Sequence, residues 1–92
     1  MIQATKIQMY DGMSNSNSVT EIKSIYLIGV KEEGFFSKES IYDFLKKNPN
    51  SHIEVAISPY PKLIPATNGI QKYVRSEPND TPNDNLLKLP RI

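Results

Sequence analysis

The chain has no cysteine among its 92 residues. That excludes disulfides, thiolate nucleophiles and cysteine-built zinc sites together. Histidine is nearly as scarce, with His52 alone. A general base or metal ligand needs a second group within reach; Glu54, two residues on, shares its strand face and reads as a solvated neighbour. There is no Gly-x-Ser-x-Gly elbow, no Walker loop and no dinucleotide fingerprint. Nowhere do eighteen apolar residues stand together, and Met1–Lys6 has no apolar run of signal-peptide length. The expected location is therefore soluble and cytoplasmic.

Charge of one sign is missing too. Eleven basic residues against ten acidic leave a net +1, so no strong field draws the chain to nucleic acid or anionic lipid. The carboxylate pairs Glu32-Glu33 and Asp80/Asp84 fall in a turn and a polar loop, where nothing desolvates a carboxyl for acid–base work. These absences predict no enzyme, no metal and no cofactor.

What is present is enough for one small domain. A chain of this length buries only about 60–65% of its unfolded surface, so the core is thin. An apolar fraction of 38% is low, which a polar stretch near the C-terminus explains. Residues 2–9 read as a strand whose alternation slips between Ala4 and Ile7, a sign of a bulge or an edge. Residues 10–18 are turn formers and make a long loop. Over 19–30 apolar residues occupy both parities, predicting a central strand, and Lys31-Glu32-Glu33-Gly34 makes a charged turn.

Ser37 is placed to cap a helix in which Ile41, Phe44 and Leu45 share a face. Glu39 and the Lys46-Lys47 pair suit the dipole, and Asn48-Pro49-Asn50 ends the run. Residues 52–58 alternate as a strand with Ile53, Val55 and Ile57 inward. Pro59-Tyr60-Pro61 interrupts it, with trans peptide bonds expected. Leu63–Ala66, the Asn68-Gly69 turn and Ile70–Arg75 form a hairpin whose first strand is an edge because of Pro65.

A polar run from Glu77 to Asn83 precedes Asn85-Leu86-Leu87-Lys88-Leu89-Pro90. Such a compact apolar cluster is expected to dock on the core, with Asp84 or Asn85 capping a single helical turn and Pro90 stopping it. The predicted fold is α+β: a small twisted antiparallel sheet of four to five strands with one helix on a face, in the order β-β-α-β-β-β. It is a single domain over 1–92, with sheet and helix in 1–76, a polar loop at 77–84 and a docking segment at 85–92. The sheet's other face is left exposed.

The ending carries a resemblance. Tyr73-Val74-Arg75-Ser76, a polar spacer, then Asp84-Asn85-Leu86-Leu87-Lys88-Leu89-Pro90 is similar to the finish of a family of small bacterial and phage proteins, domain of unknown function 3892. The likeness runs over nearly the whole chain. Ser76 stands where threonine is expected, and Asn15-Ser16-Asn17 lacks a His-Glu pair found in many members. The resemblance implies a fold and a bacterial or phage origin, and no activity.

The candidate binding residues are Tyr60, Lys72, Tyr73, Arg75, Asp84 and Asn85. Arg75 with Asp84-Asn85 can be read as a phosphate or carboxylate site. The weightier reading is structural, with Asp84 and Asn85 as caps, Arg75 paired to Asp84 and the leucines in the core. Two functions follow. One is a module that binds another protein through the exposed sheet face, an edge strand or the 10–18 loop. The alternative is a nucleic-acid-binding accessory protein using Lys6, Lys23, Lys46, Lys47, Lys62, Lys72, Arg75, Lys88 and Arg91, with Tyr60 and Tyr73 as stacking platforms.

Overall fold

A computed structural model describes residues 1–77 and 84–92. Most of the polar loop, Asp80 included, lies outside the described residues. The elements are β1 (Ile2–Met9), a 3-10 turn (Val19–Glu21), β2 (Ile22–Ile28), β3 (Gly34–Ser37), α1 (Lys38–Lys47), β4 (Ile53–Val55), β5 (Leu63–Thr67), β6 (Lys72–Ser76) and a second 3-10 turn (Asn85–Lys88). The fold is α+β with one helix, and the predicted order holds. The short β3 is an addition, made from Gly34, read as the end of a turn, Ser37, read as a helix cap, and Phe35 and Phe36, which the sequence reading assigned to no element.

Four strands form a sheet in the order β3-β2-β1-β4, and β5 and β6 form a separate hairpin. The larger sheet is mixed rather than wholly antiparallel: β1 pairs antiparallel with β2 but parallel with β4. The chain needs helix α1 to cross back before β4 can lie parallel to β1, the usual requirement of a parallel pair. The slip anticipated between Ala4 and Ile7 is real, since the β1–β2 register shifts between Ala4 and Lys6. The predicted strand 19–30 is shorter at both ends, beginning with the 3-10 turn and stopping at Gly29. Gly29 has a left-handed φ of 82° and packs so closely on Met1 that a Cβ there would collide with the Met1 carbonyl oxygen.

Ser37 caps α1, its Oγ accepting the Ser40 N–H (3.1 Å). Ile41 and Leu45 face the core, together with Lys38, while Phe44 is only partly covered. Strand β4 keeps three of the seven residues expected, and the Ser58–Pro59 peptide bond is cis rather than trans. The Asn68-Gly69 turn closes the hairpin as expected, with Thr67 opposite Lys72.

The helix, the hairpin and the terminal leucines join one core with the inner face of the sheet. Leu86 is fully buried, and Leu87 and Leu89 nearly so. The docking of the C-terminal segment is completed by main-chain bonds. Ile7 N–H donates to the Pro90 carbonyl and Ile92 N–H to the Ile7 carbonyl, both at 2.9 Å. The last residues thus lie beside the later half of β1, continuing the side that β4 occupies along its first half.

Candidate functional site

The main-chain bonds at Ile7 determine the hydrogen-bonding phase of the whole sheet. Both polar groups of Ile7 point toward residues 90–92, away from β2. In an antiparallel ladder successive residues alternate sides, so Lys6 and Gln8 bond to Tyr26 and Ser24 across β1–β2. Ile25 and Leu27 then bond outward to Phe36 and Gly34 of β3. The groups of Phe35 are left pointing away from β2, at the outer edge of the sheet.

That edge differs from the others. On the far side of β4, Val55 N–H donates to the Pro61 carbonyl (2.8 Å), and Glu54 bridges to Lys62. The later half of β1 is closed by residues 90–92. Among the described residues, no strand lies against β3. Apart from its length of only four residues it lacks the usual guards of a free edge, with no proline, lysine or bulge. Its side chains are apolar on both faces: Phe35 outward, 40% exposed, and Phe36 toward the core. Phe35 packs edge-on against Tyr26 (5.1 Å between centroids), and Lys6 Nζ sits 5.0 Å over the Tyr26 ring.

Behind β3, the inner face of the sheet is incompletely covered. A groove of about 480 Å³ opens between the sheet and α1. Its walls are Ile2, Leu27, Phe36 and Ile53 from the sheet, Ile41 and Phe44 from the helix, and Val30 from the β2–β3 turn. Lys31, Glu32 and Ser40 supply the polar groups of its lining. A volume in this range with apolar walls and few polar groups is that of a binding pocket. At the strand edge beside it, a Cβ built on Gly34 would meet no atom within 4 Å. The arrangement can hold apolar groups and pair with main chain.

The predicted site residues separate into different roles. Asp84 caps the second 3-10 turn by accepting Leu86 N–H (2.9 Å), and it also accepts both the N–H (3.0 Å) and the Oγ–H (2.7 Å) of Ser76. Ser76 Oγ in turn accepts Asn85 N–H (3.2 Å). This closed set of bonds fastens the leucine segment to β6, and threonine has the same hydroxyl to offer at position 76. Arg75 does not pair with Asp84: the carboxylate is occupied by Ser76 and Leu86, and the expected ion pair is absent. Asn85 is buried with its Nδ2 unpartnered. Lys72 pairs with Asp43 of the helix at 3.0 Å and lies over Tyr42, Tyr73 is half-buried, and Tyr60 is exposed with a left-handed φ of 59°. These six do not form one site.

The sequence reading missed Lys38. It is 1% exposed, its Nζ–H donating to the Thr20 carbonyl (2.7 Å) and lying 4.8 Å over the Tyr10 ring. Burial lowers its pKa, opposed by the nearby Glu39 and Glu21. Tyr10 is shifted up by burial, with the same two carboxylates adding to the effect. Nothing in the sequence marks Lys38, because the residue after a helix cap is ordinarily exposed. Phe35, Phe36 and Phe44 were visible as apolar residues, but their place at an open edge depends on β3.

The site and fold define a small α+β protein in which, among the described residues, the short β3 edge of the main sheet lies open beside an apolar groove. The chain matches the model of the family described as protein of unknown function DUF3892 over residues 2–90, and it belongs to that family. No curated protein and no solved structure matches it. Among the described residues, no helix is long and apolar enough to cross a membrane.

Proposed function

We propose that this chain is a non-enzymatic protein–protein interaction module that engages its partner through the β3 edge and the adjoining groove. The observation that carries this reading is the asymmetry of the sheet. Its other edge positions are closed by the chain itself, and among the described residues of the four-stranded sheet β3 alone is left bare, flanked by two partly exposed phenylalanines, Phe35 and Phe44. Unpaired main chain beside apolar surface is a recognised template for association.

Binding of nucleic acid is the second reading, favoured by Lys6, Tyr26 and Phe35 on the outer sheet face. Two of its cations are engaged elsewhere. Lys72 pairs with Asp43, and the Arg91 guanidinium donates to the carbonyls of Ser14, Ser16 and Leu87.

The test is affinity capture from source-cell extract on the immobilised protein and on Phe44→Glu, whose side chain is already partly exposed. A protein retained by the wild type and lost from a variant that still melts cooperatively above the assay temperature supports the module. Equal retention by both removes the groove from the interface. Titration with single-stranded DNA and RNA at low salt completes the comparison, since binding that collapses steeply with added salt would replace the first reading by the second.

A further inference from the structure

Resting on that reading, we infer that the partner presents an extended strand that adds to β3, with alternate apolar side chains entering the inner face at Gly34 and Phe36. The main-chain phase selects this occupant over a helix. Phe35 directs both its N–H and its C=O outward, as shown by the bonding of Ile7 to residues 90–92 and the register carried across β1, β2 and β3. In an antiparallel partner strand the residue opposite Phe35 therefore exchanges two main-chain hydrogen bonds with it, a pairing that a helix, its own main chain already bonded, cannot make.

Side-chain geometry agrees. The partner residue opposite Phe35 lies on the outer face, beside Phe35 and Tyr26. Its two neighbours lie on the inner face, one beside Phe36 and the groove, the other over Gly34. Gly34 has no side chain and open space where its Cβ would be, so a bulky side chain can occupy that position. Strand pairing supplies affinity through the main chain and specificity through alternate side chains. The augmented stretch is short, because Ser37 ends β3 by capping α1. The recognised element is a tripeptide of apolar, any non-proline residue, apolar, within an extended segment.

The experiment selects random twelve-residue peptides on the wild-type protein, then measures the best binders against variants and by amide exchange. The expected peptides alternate apolar residues at i and i+2. Their affinity falls by about tenfold or more when the central residue is N-methylated, since a main-chain bond is lost and its partner stranded. N-methylation one residue either way is tolerated. Gly34→Val, whose Cβ would meet no atom within 4 Å and which suits a strand, weakens binding without lowering the melting temperature. The Phe35 amide becomes protected on binding.

Peptides with apolar residues at i, i+3 and i+4, indifferent to N-methylation and to Gly34→Val, would overturn the strand inference while leaving a groove-binding module intact. Peptides that bind Phe44→Glu as well as the wild type would remove the groove from the interface, and indifference to N-methylation and to Gly34→Val as well would remove both readings. A concentration-dependent dimer with Phe35 already protected would assign the edge to a second copy of this chain and overturn the separate partner.

Discussion

The two ends of the sheet's inner face have the same apolar chemistry and opposite fates. At one end Leu86, Leu87 and Leu89 return from the C-terminus and fill the space beside β1 and β6. At the other, Ile2, Leu27, Phe36, Ile53, Ile41 and Phe44 surround an open groove. The main chain repeats the contrast, with Ile7 and Val55 bonded to returning segments and Phe35 facing outward. An apolar wall is not in itself a site. The terminal leucines show what this fold does with apolar surface that it closes for itself, and β3 stands out because nothing in the described chain does the same for it.

The largest expected effect is at the filled end. Leu86→Ala, at a position with no exposure, should cost about 2–5 kcal/mol, a large share of the stability of a domain this small. Chemical denaturation at constant m-value measures it. Phe44→Glu, at a side chain 36% exposed, should cost less, about 1 kcal/mol, and act chiefly on association. Equal losses from the two substitutions would abolish the distinction between the ends.

Asp84→Ala sharpens the same comparison. It removes the acceptor of Ser76 and Leu86 and leaves their donors stranded, at an expected cost of about 1–3 kcal/mol. The leucine segment should then exchange its amides faster than the sheet. Ser76→Thr should be nearly neutral, because the hydroxyl remains.

The smallest effect concerns Lys38, which ties the 3-10 turn at Thr20 to the helix. Its folded pKa is lowered by burial, so between the folded and unfolded values the unfolded chain holds more protons. Stability then rises with pH through that window, just below the ordinary lysine value. Tyr10 is raised, so the unfolded chain loses its phenolic proton first and stability falls again above the ordinary tyrosine value. Melting temperature against pH should show a shallow maximum in the alkaline range. In Lys38→Met the rise should be lost and the fall retained.

The core was legible because it obeys local rules. The Ser37 cap, the helical spacing of Ile41 and Leu45, the alternation of Ile53 and Val55 and the Asn68-Gly69 turn each have short-range causes. The docking of Leu86, Leu87 and Leu89 was readable as an apolar cluster after a polar run. The parallel β1–β4 pairing was not, since parallel partners are set by a crossover and leave no mark on the strands. Arg75 and Asp84 were paired on opposite charge, but a nearer hydroxyl and two main-chain N–H groups hold the carboxylate. The β3 edge was hidden for a different reason. Four residues next to a helix cap carry too little pattern to announce a strand, and an edge is defined by what lies beside it.

Native-state amide exchange on the free, dilute wild-type protein tests the central contrast most directly. The Ile7 and Val55 amides, bonded to Pro90 and Pro61, should exchange only with global or near-global opening, while the Phe35 amide exchanges at close to its unprotected rate. A Phe35 amide as slow as Ile7 would mean that the β3 edge is already covered, and the case for an open docking edge would fail.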